Sequence, residues 1–205
     1  MPQLTVVAGP NGSGKSTLIR YLLSQNIFLG HYINADDIAQ KQRLSGEIGS
    51  RQAQRIADNL RKTYLEAKSD FSFETVMSHA SKPEFMETAR SNGYHVTLYF
   101  VCTDAPVINV SRVNYRVKHG GHDVPVDRII TRYYRTLELL PRAIAASDVT
   151  VLFDNTEDRT LNIKKALRPV ARVVRNSFGL LQKDFEEWPP KWANDVLKII
   201  DLNSH

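Results

Sequence analysis

Gly9-Pro10-Asn11-Gly12-Ser13-Gly14-Lys15-Ser16-Thr17 follows directly on the apolar run Leu4-Thr5-Val6-Val7-Ala8. The segment fits G-x-x-x-x-G-K-[ST], in which glycines let backbone N–H groups converge on phosphate oxygens. The lysine reaches the β- and γ-phosphates, and the hydroxyl of Ser16 ligates Mg²⁺. A β-branched run before the loop predicts a strand. An amphipathic stretch behind it, Ser16 to Gln25 with Leu18, Ile19, Leu22 and Leu23 apolar, predicts a helix whose positive dipole end faces the same anion. Strand, glycine loop and helix in this order predict a nucleoside triphosphate site, with ATP and Mg²⁺ as the bound species.

The chain of 205 residues is long enough for one substantial core and is read as one domain over residues 1–205. Its sequence has no apolar run near the ~18 residues needed to cross a bilayer and no leader pattern at the N-terminus, which predicts a cytoplasmic protein without a membrane partner. The single cysteine, Cys102, has no partner for a disulfide or zinc site and reads as a small buried hydrophobe. A net charge of +5 admits nucleic acid, an acidic protein or a phosphorylated small molecule as partner. The arginines Arg112, Arg116, Arg128, Arg132, Arg135 and Arg142 are spaced along helical patterns rather than in a solid basic run. That spacing suits a compact polyanion better than a nucleic-acid strand, although any one of them can equally belong to a solvated face.

Along the chain, strand signals alternate with helical ones, which predicts βαβ units and a mostly parallel central sheet flanked by helices. Strands are expected at Gln3 to Ala8, His31 to Asn34, Phe71 to Phe73, Tyr94 to Val101 and Val149 to Phe153. The fourth, continuously aromatic and β-branched, is expected at the centre. Helices are expected over Glu47 to Lys68, after Pro83 up to Asn92-Gly93, over Val107 to Lys118, and from an Asp123 N-cap to about Leu140. Leu161 to Leu167 reads as a basic helix and Ala171 to Val174 as an edge strand. The tail through Trp188 and Trp192 to Leu197 has no decisive pattern, and its tryptophans suit anchoring of the tail.

The absence of a guanine-reading N-K-x-D, an L-S-G-G-Q segment and an apolar run ending in Asp-Glu argues against GTPases and many ATPases. Instead Asp36-Asp37 follows the second strand, Glu74-Thr75 follows the third, and an arginine-rich helical hairpin surrounds Gly120-Gly121. Parallel sheets bind ligands beyond their strands' carboxyl ends, so these residues are expected to gather with the loop and Asp154. One carboxylate there accepts a hydroxyl proton and arginines neutralise the transferring phosphoryl group, an order of parts that suits a kinase.

The chain resembles the zeta-toxin family of P-loop kinases, particularly its small branch sometimes labelled predicted ABC-type ATPases. The resemblance rests on Gly9 to Thr17, Ile33-Asn34-Ala35-Asp36, Phe71-Ser72-Phe73-Glu74-Thr75, Gly93-Tyr94, Arg112-Val113 through Arg116-Val117, Gly120 to Pro125, Arg132-Tyr133 and Asp154-Asn155. It implies a compact α/β kinase core, a small helical lid over about residues 106–142 and a C-terminal extension over about 157–205. In its better-known members it also implies ATP-dependent phosphorylation of the 3′-hydroxyl of a UDP-N-acetylamino sugar, and an antitoxin that blocks the nucleotide site. Carried over by motif, Lys15 binds the ATP phosphates, Asp36 is the base, Glu74 lines the acceptor pocket, and arginines about the glycine loop contact phosphates. The chain departs from the larger toxins in its length and in Asn34, where their acidic motif commonly carries a second Asp.

Among these residues, Lys15, Asp36, Arg116 and Arg132 are the expected catalytic set. Asp36, Glu74, Thr75, Arg112 and Arg128 are the expected acceptor contacts, and Asn11, Gly12, Ser13, Gly14 and Thr17 belong to the nucleotide loop with Gly9 and Pro10. Asp36 competes with a capping role and Asp37 reads as an N-cap. Glu74 competes with a salt-bridge role, while Thr75 and Ser78 often merely cap helices. Gly120-Gly121 reads as a hinge or an ordinary turn, and Asp154-Asn155 as part of the adenine pocket or a turn. Two other readings stay open: a nucleotide or nucleic-acid end kinase, and an ATP-dependent regulatory binding module.

Overall fold

In the computed structural model, residues 1–121, 123–157, 167–176, 181–185 and 189–202 are described. The elements run β1 (Gln3–Ala8), α1 (Lys15–Ser24), β2 (His31–Ile33), α2 (Ala35–Lys41), α3 (Gly46–Glu66), β3 (Phe71–Thr75), α4 (Ser81–Ser91), β4 (His95–Cys102), α5 (Pro106–Lys118), α6 (Val126–Ala145), β5 (Val149–Asp154), β6 (Arg168–Arg175), β7 (Leu181–Phe185) and α7 (Lys191–Leu202). One sheet of seven strands has the order β2-β3-β1-β4-β5-β6-β7. The first five are mutually parallel, and β6 and β7 are added antiparallel.

Burial explains why β1 and β4 read as near-continuous apolar runs. Leu4, Val6 and Ala8 of β1 face one core together with Phe71, Phe73, Val96, Leu98 and Phe100, while Val7 faces a second core with Leu18, Ile19, Leu22 and Val101. Helices cover both faces, as parallel sheets require. The central place expected for the fourth strand is the one β4 holds.

Four expectations change in detail. Ala171 to Val174 belongs to β6, which is not an edge, because β7 pairs outside it. The N-cap of α2 is Asn34 rather than Asp37: its Oδ1 accepts the Asp36 N–H at 2.8 Å, which puts both aspartates in the helix's first turn. The N-cap position of α6 is Pro125, so Asp123 lies upstream of the helix. The same helix runs past Leu140 and through Pro141 to Ala145, since a proline near a helix end removes only one backbone donor. The basic helix expected over Leu161 to Leu167 lies, except for Leu167, outside the described residues, as do His122 and Trp188.

The tail without a decisive pattern forms β7 and α7. Trp192 there is buried against Phe100, and its Nε1–H donates to Asp154 Oδ1 at 3.1 Å. Among the described residues no helix is long and apolar enough to cross a membrane.

Candidate active site

The loop between β1 and α1 is shaped by glycines at positive φ: Gly9 at 154°, Gly12 at 75° and Gly14 at 105°. Space as well as conformation requires them. A Cβ on Gly12 would stand 2.6 Å from the Asn109 carbonyl oxygen, one on Gly9 would drive into Val101 O, and one on Gly14 into Asn155 Nδ2. The loop is thus wedged between β4, α5 and the end of β5. Asn155 Nδ2 donates to Ser13 O at 2.7 Å, and Asn109 Nδ2 donates to Asn11 O at 2.7 Å. Asn109 in turn accepts from the Thr103 hydroxyl, and Tyr133 Oη donates to Thr103 O at 2.6 Å. Asn109, Thr103 and Tyr133 form a buried scaffold behind the loop; Tyr133 lies in a segment of the resemblance, whereas Asn109 and Thr103 were announced by no motif.

Gly14 occupies the N-cap of α1 without a side-chain cap, so the first turn's N–H groups face the cleft. Lys15 folds over the loop: its Nζ donates to Gly9 O at 3.0 Å and Pro10 O at 3.1 Å and lies 4.0 Å from Glu74 Oε1. Burial lowers the Lys15 pKa. Glu74 and Asp36 act against that shift, and Arg116 and Arg132 act with it. Four of the expected residues therefore lie within electrostatic reach of the one ammonium.

A cleft of about 930 Å³ opens here, lined on one side by Gly12, Gly14, Lys15, Ser16 and Thr17 and on the other by Arg112, Tyr115 and Arg116 of α5, with Asn155 and Thr156 at one end and Glu74 among its walls. Its size suits a nucleotide. The loop also holds a buried hydroxyl without a partner among the described residues, Ser13 Oγ. Together with the cradle that only glycines leave open, this donor fits a bound polyphosphate. The exposed Ser16 hydroxyl lines the same cleft and is available to Mg²⁺. Among the described residues no group of three or more His, Cys, Asp or Glu could hold a metal ion.

Beside Lys15, the residues expected to contact an acceptor include side chains that hold one another. Tyr32 Oη donates to Glu74 Oε2 at 3.1 Å, and Asn34 Nδ2 donates to Tyr32 Oη at 3.0 Å and to Glu74 Oε2 at 3.3 Å. Asp36 is exposed in the first turn of α2. Thr75 turns away: its Oγ1 accepts the N–H of Met77, a buried residue at φ 59°, and so serves the turn after β3.

The arginines divide into groups. Arg116 lines the cleft, and half-buried Arg132 donates to Asn11 Oδ1 at 3.4 Å. Arg112 donates to Asn155 O at 2.8 Å and Glu157 O at 3.3 Å, a brace on the loop after β5. Arg128 is exposed outside the cleft lining, near Arg132 and Glu47. Arg142 is bound to Glu84 and Glu87 of α4. Gly120-Gly121 forms a Schellman cap on α5, with Gly121 N–H on Arg116 O at 3.0 Å and Gly120 N–H on Val117 O at 3.0 Å. Asp154 is occupied by Trp192 and by the Thr156 hydroxyl at 2.6 Å, so its carboxylate supports the turn.

A phosphate loop between the first strand and first helix of a mostly parallel sheet, with a lysine and its carboxylates at the strand ends, defines a P-loop α/β protein. The chain belongs to the zeta toxin family, whose model matches residues 1–168. An uncharacterized protein of Haemophilus influenzae is 33% identical over 126 residues, 61% of this chain and 88% of that protein. Two solved structures share the fold. One belongs to the PezAT chromosomal toxin–antitoxin system of Streptococcus pneumoniae, at TM-score 0.55 and 14% identity, covering 99% of this chain and 86% of that one. The other is the AvrRxo1-ORF1:-ORF2 complex with ATP, at TM-score 0.65 and 15% identity, covering 98% of this chain and 64% of that one.

Proposed function

We propose that this protein is an ATP-dependent phosphotransferase that moves the γ-phosphoryl group to a hydroxyl of a small molecule. A UDP-N-acetylamino sugar is the acceptor that family membership favours. The observation that carries the reading is Lys15 Nζ at 4.0 Å from Glu74 Oε1 in a cleft that Arg116 also lines, beside a loop shaped for phosphates. A hydrolase needs only water at that point. A transferase needs a second, polar pocket, and the Tyr32, Asn34 and Glu74 network supplies its wall.

In the proposed reaction the loop's N–H groups and Lys15 hold the β- and γ-phosphates. Ser16 would hold Mg²⁺, which would supply charge neutralisation to the phosphates. Asp36 accepts the proton of the acceptor hydroxyl as its oxygen bonds to the γ-phosphorus, and the bond from that phosphorus to the β–γ bridging oxygen breaks to release ADP. Arg116 and Arg132 stabilise the charge that spreads over the transferring group. Lys15 is released from Gly9 O and Pro10 O when phosphate oxygens take their place.

We also infer a restraining protein partner that closes the nucleotide cleft, with family membership and the PezAT likeness as support. We infer a cytoplasmic location, supported by the need of the proposed reaction for ATP and Mg²⁺. Incubation with ATP, Mg²⁺ and UDP-N-acetylglucosamine, and in parallel with a metabolite extract, tests the reaction by mass spectrometry. A product heavier by one phosphoryl group is expected. ADP and inorganic phosphate alone would overturn the transferase reading.

A further inference from the structure

Asn34 closes β2 and caps α2, and each end of its amide has a different task. The oxygen accepts the Asp36 N–H at 2.8 Å. The nitrogen donates to Glu74 Oε2 at 3.3 Å and to Tyr32 Oη at 3.0 Å, while Tyr32 Oη donates to that same carboxylate oxygen at 3.1 Å. One half-buried side chain therefore links the backbone of Asp36 to the carboxylate of Glu74.

Capping alone does not explain an asparagine. Aspartate and serine cap helices about as well, because the cap needs only an acceptor. The contact to Glu74 needs a donor, which an ionised aspartate lacks. An aspartate here would aim a second carboxylate at Glu74 across the 3.3 Å now spanned by the amide nitrogen. Two like charges at that distance share a proton or move apart. The surroundings leave Glu74 little else to steer it: Lys15 Nζ stands 4.0 Å from the other oxygen, Asp36 and Asp37 occupy the first turn of α2, and Arg116 and Arg132 act on Lys15 from the lid.

We propose that Asn34 is a positioning residue that fixes the Glu74 carboxylate relative to Asp36, and that its amide nitrogen rather than its capping oxygen requires asparagine at this position. With Oε2 held by Tyr32 and Asn34, Oε1 stays turned toward Lys15 and the acceptor side. The kinetic consequence rests on the phosphotransferase reading, whereas the arrangement of Asn34 and Glu74 does not.

Two variants and two readouts test this. N34D and N34S both retain a capping acceptor and lose the donor to Glu74. N34D also adds a charge. ¹³C NMR follows the titration of the Glu74 carboxyl in the ligand-free protein, and phosphoryl transfer from ATP is measured with UDP-N-acetylglucosamine as probe acceptor. In N34D the Glu74 titration is expected to move up by about one pH unit or more, and the acid limb of kcat to move with it. In both variants kcat is expected to fall about tenfold while ATP Kd and melting temperature stay near those of the natural protein. A Glu74 titration unchanged in N34D overturns the proposal, as does natural kcat in N34S. If the natural protein transfers phosphate to no acceptor, the phosphotransferase reading fails, and the NMR titration still decides the role of Asn34.

Discussion

On the donor side of Lys15, the phosphate loop consists of backbone at positive φ wedged against Val101 O, Asn109 O and Asn155. On the acceptor side, Tyr32, Asn34 and Glu74 are side chains that position one another, and Asp36 stands exposed on the helix they cap. The first side is shaped by atoms of other elements that fill the space around it. The second is held by hydrogen bonds among its own members and by the contact of Glu74 with Lys15. In the proposed function, binding of phosphate belongs to the fold and choice of acceptor to a few replaceable groups.

Substitutions can break that division. Lys15→Ala strikes the point where the two sides meet, so isothermal titration should show ATP binding lost, with transfer reduced by about 10³-fold or more. Retention of natural ATP affinity in this variant would separate Lys15 from the donor side. Asp36→Ala is expected to reduce transfer by about 10²–10⁴-fold while ATP still binds, as a base on the acceptor side should. Undiminished transfer would remove Asp36 from the mechanism. Arg116→Ala and Arg132→Ala should each lower kcat by about 10²-fold. Arg128→Ala, at an exposed residue, should change it by about threefold or less by the ordinary worth of an exposed charge, whereas Arg132 reaches the loop at Asn11. Equal losses in all three would place the acceptor farther along α6 than the geometry supports.

The smallest effect lies outside both sides and serves as a control. Burial lowers the Lys82 pKa to about 8, with Arg61 acting in the same direction. Asp58, 3.3 Å from Lys82, is also paired with Arg61. A cation whose folded pKa lies below its unfolded value binds fewer protons when folded, so stability rises with pH between the two values. Urea unfolding should show a gain of about 1 kcal/mol between pH 8 and pH 10, absent in Lys82→Met. The pH dependence should leave ATP affinity per folded molecule unchanged.

The difference between the two sides also governs what could be read in the chain. Glycines with a fixed spacing leave a signature, because the backbone conformation they permit is open to few other residues. Parallel strands covered on both faces leave another, which is why β1 and β4 stood out. The other side leaves less: Asn34, Asp36 and Glu74 fall in segments of the resemblance, but their mutual contacts do not show in the chain. Tyr32 and Asn34 meet Glu74 across adjacent strands, forty-two and forty positions away in sequence. Asn109, ninety-eight positions from Asn11, was hidden for the same reason. The expected N-caps at Asp37 and Asp123 failed by a few residues, since several capping types were adjacent and only the final hydrogen bonds choose among them. The expected end of α6 at about Leu140 fell short of Ala145, because Ala143 and Ile144 are packed into the core.

The bond from Trp192 to Asp154 has a consequence in time. A ribosome releases the chain from its N-terminus, so Asp154 and Asn155 leave the exit tunnel well before Trp192 follows. A nascent chain that ends between Asn155 and Trp192 carries the phosphate loop but an unclasped turn beside it, and the turn is clasped only when Trp192 follows.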